Sequence, residues 1–218
     1  MTGVFVKICG LRDASALDAA IDGRADAVGF VFAPGSRRLI DPRVARSLVD
    51  RTPPGIETVG VFRNQPIDEV LESARLAGVT TVQLHGDEPR RDFDRLAAEG
   101  YRTIRALSSG SFRRIRLETP EDLTGHRLLI DAENPGEGKT FDTTALVGSR
   151  PPGFWLLAGG LNPGNVAAAV ASTSADGVDV SSGVESSPGV KDVDLIRRFI
   201  AAARTGRTVE PAATQPAD

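Results

Sequence analysis

The chain has 218 residues, enough for one cored domain and short for two. It is 40% hydrophobic and 25% charged with a net charge of -3, and its lysines and arginines form no long stripe, so nucleic acid is not expected as a partner. One cysteine excludes an internal disulfide, and with only two histidines no metal site is expected; the chain also lacks a bilayer-length apolar run and a basic leader, which points to a cytoplasmic protein with no membrane partner.

In chain order, the run Val4-Phe5-Val6-Lys7-Ile8 predicts a strand over 4–8, followed after Cys9-Gly10 by a helix over 13–22 with Asp13 at its start. Further apolar runs predict strands over 27–32, 57–62, 80–84, 103–107, 127–130, 154–158 and 177–180. Helical patterns lie between them at 42–50, 67–77, 89–98, 162–172 and 193–203, several opened by Asp, Pro or Asn, which cap or begin a first turn. Segments 112–117 and 142–147 read as short or irregular helices. Strands that are apolar throughout, rather than alternating, are strands covered on both faces. Eight strand–helix units in about 200 residues is the count of a single (β/α)8 TIM barrel, an α/β fold. A doubly wound open sheet has fewer strands and a glycine-rich first turn, which this chain lacks. The barrel domain is assigned to 1–204, and the Thr-, Pro- and Ala-rich tail over 205–218 is expected to be disordered.

A barrel gathers its chemistry on the loops that follow the strands. The polar residues at those ends are Lys7 and Cys9 from the first strand, His85 from the fourth, Asp131 from the sixth, and Asp179 with Ser181 from the eighth. Alternation puts Lys7 and Cys9 on one face. A cysteine thiol ionises near pH 8.5, and an ammonium beside it favours the thiolate, so Lys7 is expected to lower the pKa of Cys9. Cys9 is then either an acid–base group or an inert buried thiol. Asp131 follows Arg127-Leu128-Leu129-Ile130 directly, where a carboxylate is either functional or the start of a turn.

Two glycine-rich turns close the series, Gly159-Gly160-Leu161-Asn162-Pro163 and Ser181-Ser182-Gly183. Such turns after the seventh and eighth strands suit a phosphate, because backbone amides approach closely there. Arg37 and Arg38 offer either a bidentate carboxylate site or solvated surface. His85 either lines the mouth or orients its loop. Gly138-Lys139-Thr140 is not a P-loop, since Glu133 stands where that motif needs glycine, and Lys139 is read as part of a loop over the mouth. Lys7, Lys139 and Lys191 are the only lysines among 26 Lys plus Arg, which marks each of them out.

Taken together the motifs resemble the phosphoribosylanthranilate isomerase family. They are Val6-Lys7-Ile8-Cys9-Gly10-Leu11, Asp26-Ala27-Val28-Gly29-Phe30-Val31-Phe32, Ser36-Arg37-Arg38, Val82-Gln83-Leu84-His85-Gly86-Asp87-Glu88, Gly138-Lys139-Thr140-Phe141-Asp142, Leu157-Ala158-Gly159-Gly160-Leu161-Asn162-Pro163 and Val178-Asp179-Val180-Ser181-Ser182-Gly183-Val184-Glu185. The resemblance implies an Amadori rearrangement of N-(5′-phosphoribosyl)anthranilate in tryptophan biosynthesis, with a small phosphorylated molecule as substrate. It implies Asp131 as general acid, Cys9 as general base and Arg38 on the anthranilate carboxylate. Lys7, His85 and Asp179 complete the substrate site, and Gly159, Gly160, Ser181, Ser182 and Gly183 take the phosphate. It implies no metal or organic cofactor, because the imine intermediate stabilises the carbanion. Two departures from the family pattern fall near the mouth: a shorter loop over 132–138, and Thr143 where tryptophan is common. The competing readings are a related aminoaldose isomerase of histidine biosynthesis, which uses aspartate where this chain has Cys9, and a phosphate-binding or thiol-sensing barrel without turnover. Nothing in the sequence selects between a monomer and a homodimer.

Overall fold

A computed structural model describes residues 3–131 and 150–206. Eight parallel strands close a barrel in chain order: β1 (Phe5–Cys9), β2 (Ala27–Val31), β3 (Glu57–Phe62), β4 (Thr81–Leu84), β5 (Arg102–Ser108), β6 (Arg127–Asp131), β7 (Trp155–Ala158) and β8 (Gly177–Val180). The seam is made by β8 pairing with β1, from Phe5 opposite Gly177 to Ile8 opposite Val180. Around the barrel the described residues form α1 (Ala14–Asp22), α2 (Pro42–Arg51), α3 (Ile67–Ala77), α4 (Arg90–Ala98), α5 (Ser109–Glu118), α6 (Val166–Thr173) and α7 (Val193–Thr205). None of these helices is long and apolar enough to cross a membrane. The expected TIM barrel is therefore observed.

Strand alternation divides the apolar side chains between two cores. Outward residues such as Ile8, Phe30, Leu128 and Leu157 pack under the helices, with Leu17 of α1 and Phe199 of α7. Inward residues Val59, Ile104, Leu129 and Leu156 fill the barrel, with Ala27 and Ala158.

The predicted elements need three corrections. The segment read as a short irregular helix at 112–117 is a full helix, α5, because the Ser108 hydroxyl accepts from Ser111 N at 3.0 Å and caps it. The helix expected from 162 begins at Val166, since Asn162 and Asn165 spend their amides on local turns: Asn165 Oδ1 accepts from Asn162 N and Asn162 Oδ1 from Gly164 N, both at 2.8 Å. A hairpin of β9 (Glu185–Ser187) and β10 (Val190–Lys191) follows β8 and has no counterpart in the predicted elements. The segment 142–147, the loop at 132–138 with Lys139, Thr143, and the tail from 207 lie outside the described residues.

The end of the barrel away from the site is closed by charge. Glu57 begins β3 and is buried; its Oε2 lies 2.6 Å from Arg127 Nη1 and its Oε1 3.5 Å from Arg102 Nε, and it also accepts from Thr81 Oγ1. The Arg127 guanidinium lies 5.6 Å from the centroid of the Phe5 ring and 5.2 Å from that of Phe154. Both arginines reach water and can rehydrate, so Glu57→Ala should cost about 2 kcal/mol, below the ~3–5 kcal/mol for breaking a fully buried pair. Denaturant unfolding reads this directly, and an unshifted midpoint would show that the cluster is not stabilising.

Candidate active site

At the opposite end, the strand termini and the loops after them surround a cavity of about 1190 Å³. Cys9, Arg38, His85, Asp131, Asp179, Gly159, Gly160, Ser181 and Ser182 all line it. Lys7 lies beneath, fully buried, one inward position below Cys9. Its Nζ is 2.8 Å from Asp179 Oδ1. Burial by itself would lower the pKa of Lys7, but the Asp179 carboxylate and the Cys9 sulfur outweigh it and hold the ammonium well above the ordinary lysine range.

That pairing reverses one expectation. Lys7 does pull the Cys9 thiol toward ionisation, as does Lys191. Burial, the strongest influence, and the Asp179 charge push the other way, and the thiol of the unliganded site is raised rather than lowered. The ammonium meant for the thiol is shared with a carboxylate.

Asp131 ends β6, with its side chain 23% exposed, and its Oδ2 lies 3.6 Å from His85 Nε2, beyond direct hydrogen-bond length. Burial lowers the His85 pKa, which favours the neutral imidazole. His85 thus lines the mouth. Inward alternation from His85 leads to Gln83, which sequence reasoning passed over; it is almost wholly buried at the cavity, and its Oε1 has no hydrogen-bond partner among the described residues.

The two arginines after β2 separate. Arg37 is exposed, and its carbonyl accepts from Arg12 Nη1 at 3.0 Å. Arg38 turns toward the cavity, where Glu185 holds it through Nε to Oε1 at 2.6 Å and Nη2 to Oε2 at 3.0 Å. Glu185 and its neighbour Lys191 carry no role in the sequence reading; the available signals were the place of Glu185 at the end of the last motif and the rarity of lysine.

The glycine-rich turns meet backbone to backbone: a Cβ on Gly183 would sit 1.8 Å from the Leu161 carbonyl oxygen, so only glycine fits there. The Ser181 hydroxyl donates to the Cys9 carbonyl at 3.1 Å and so joins the turn after β8 to the end of β1. Ser182 is exposed at the start of a 3₁₀ turn over Ser182–Val184. The Ser181 proton is thus engaged within the fold, whereas Ser182 lies exposed at the edge of the cavity.

The family model for N-(5'phosphoribosyl)anthranilate (PRA) isomerase matches residues 6–202. The chain belongs to this family. It is 45% identical to the N-(5'-phosphoribosyl)anthranilate isomerase of Paracoccus denitrificans, over 92% of this chain and 97% of that protein. The Deinococcus radiodurans isomerase is 41% identical with the same coverage. Among solved structures, TrpF from Jonesia denitrificans superposes with a TM-score of 0.84 at 44% identity, covering 94% of this chain and 98% of that one. A family structure in complex with reduced 1-(o-carboxyphenylamino)-1-deoxyribulose 5-phosphate superposes with a TM-score of 0.81 at 35% identity, covering 92% and 98%.

Since Cys9 is the sole cysteine, its alkylation by iodoacetamide reports one thiol. The pH profile should inflect above the ordinary cysteine value. Lys7→Met should move it further up, and Asp179→Asn should move it down by removing the opposing charge. Coincident profiles for the three proteins would show that the ion pair does not govern the thiol.

Proposed function

We propose that the chain isomerises N-(5′-phosphoribosyl)anthranilate to 1-(o-carboxyphenylamino)-1-deoxyribulose 5-phosphate, with Asp131 as general acid and Cys9 as general base in the barrel of residues 1–204. The observation that carries this reading is that Cys9 and Asp131, from strands three apart around the barrel, line one cavity in a member of this family. Asp131 gives a proton to the furanose ring oxygen as the C1′–O bond breaks, and the nitrogen lone pair forms the C1′ iminium. Cys9, as thiolate, takes the C2′ proton, and that electron pair flows into the iminium to give an enolamine. Ketonisation moves the hydroxyl proton to C1′, and proton return from Cys9 to Asp131 through solvent restores the enzyme. The sugar carbons exchange oxidation levels, so no external oxidant or reductant is required.

The electrostatics favour this division of labour. A raised thiol pKa leaves little thiolate at neutral pH, but the thiolate that forms is a stronger base. Ring opening then places an iminium charge nearby, which favours proton loss at C2′. The anthranilate carboxylate suits the Arg38 guanidinium and the 5′-phosphate the turns of Gly159, Gly160, Ser182 and Gly183. Lys7 and Asp179 act from beneath, and His85 supplies a neutral hydrogen-bonding edge at the mouth. A base that works as a thiol suits a reducing compartment such as the cytoplasm.

With purified protein, the fluorescence of phosphoribosylanthranilate should decay well above the uncatalysed rate; decay at the background rate would reject the reading. Cys9→Ala and Asp131→Asn should each reduce kcat by about 10²–10⁴-fold with unchanged circular dichroism. Arg38→Ala should raise KM about 10–100-fold, the span of one or two charged hydrogen bonds. Because the base must be deprotonated, kcat/KM should climb as pH rises toward the thiol pKa, and a profile flat from neutral to alkaline pH would count against Cys9 as base.

A further inference from the structure

Glu185, beside the site, accepts four hydrogen bonds. Its Oε1 accepts from Arg38 Nε at 2.6 Å and Lys191 Nζ at 2.9 Å; its Oε2 accepts from Arg38 Nη2 at 3.0 Å and Gly189 N at 3.0 Å. Two donors on each oxygen leave the carboxylate no other orientation. Its side chain is 4% exposed and that of Lys191 1%, whereas Arg38 keeps 27%. Glu185 and Lys191 are cross-strand partners on the β9–β10 hairpin, and Lys191 also donates to the Ser181 carbonyl at 2.8 Å.

A guanidinium has two edges that can grip a carboxylate bidentately, Nε with Nη2 and Nη1 with Nη2. Glu185 occupies the first. The second remains, since Nη1 has no hydrogen-bond partner among the described residues and Arg38 lines the cavity. The Arg38 stem is pressed against the end of β1, where a Cβ on Gly10 would come within 2.6 Å of Arg38 Cδ. Stem and head are therefore both fixed. Charge is arranged with equal care: Arg38 and Glu185 alone would cancel, and Lys191 restores one net positive charge to the cluster.

We propose that Glu185 is a positioning residue for substrate selection: it aims the Nη1–Nη2 edge of Arg38 at the substrate carboxylate, and Lys191 cancels the negative charge that this costs the site. The inference rests on the reading that Arg38 receives the anthranilate carboxylate.

The test compares N-(5′-phosphoribosyl)anthranilate with N-(5′-phosphoribosyl)aniline, which lacks the carboxylate. Glu185→Gln should raise KM for the anthranilate compound about tenfold, a loss on the scale of one charged hydrogen bond. Its kcat should stay within about threefold, and KM for the aniline compound should not change. Glu185→Asp should recover part of the loss. Glu185→Gln combined with Lys191→Met leaves no unpaired buried ammonium, so it guards against misfolding and should show the same collapse of discrimination. Full discrimination in that double variant, or a lowered Tm with discrimination intact in Glu185→Gln, overturns the positioning role. Arg38→Ala separates the two levels: if it loses discrimination while the Glu185 variants keep theirs, this inference alone fails. If Arg38→Ala keeps discrimination, the carboxylate reading of Arg38 falls, and this inference with it.

Discussion

A lysine without exposed surface in the middle of a barrel demands a carboxylate, and much of this molecule is arranged around the answer to that demand. Lys7 meets Asp179 at 2.8 Å, and the two are register partners on β1 and β8, the strands whose pairing closes the barrel. An ammonium left alone there would cost several kcal/mol. Closure of the barrel and neutralisation of its buried charge are thus achieved at one place. The same contact sets the chemistry above it, because the charge that Lys7 shares with Asp179 is only partly available to Cys9. The thiol therefore sits in a site balanced between an ammonium that favours its anion and burial that opposes it.

The second buried lysine follows the same rule at the rim. Lys191 is neutralised by Glu185, which in turn holds Arg38, and the Ser181 carbonyl takes another of its protons. Through Glu185, Lys191 and Ser181, Arg38, the turn after β8 and the end of β1 form one hydrogen-bonded frame. A substrate with a phosphate at one end and a carboxylate at the other needs two anion sites held at a fixed separation. A frame whose members share donors supplies that rigidity more readily than independent side chains on loops. The pairing of Lys7 and Lys191 each with a carboxylate also keeps this part of the barrel from carrying more positive charge than its burial allows.

The barrel was legible because parallel strands buried on both faces have to be apolar almost throughout, a signal that survives without neighbours. Failures came where polar side chains govern the backbone. The α5 sequence, Ser109-Gly110-Ser111-Phe112-Arg113-Arg114, gives a weak apolar period, and its start depends on the Ser108 cap. Asn162 and Asn165 carry helix-start chemistry but use it in turns before Val166. The β9–β10 hairpin is short and polar, with Glu-Ser-Ser facing Val-Lys, and shows no alternation to read.

By itself the sequence determined which residues face the barrel interior and which lie at strand ends. That follows from a period of two and was enough to gather Lys7, Cys9, His85, Asp131 and Asp179 at one mouth. What only the tertiary structure decided was how those groups and their neighbours are charged and held. Asp179 lies 172 residues from Lys7, and Glu185 lies 147 from Arg38. The direction in which the Cys9 thiol moves depends on burial and on such distant partners, as does the edge that Arg38 presents. A local pattern reports the direction of a side chain; its ionisation and its grip are properties of the whole surrounding field.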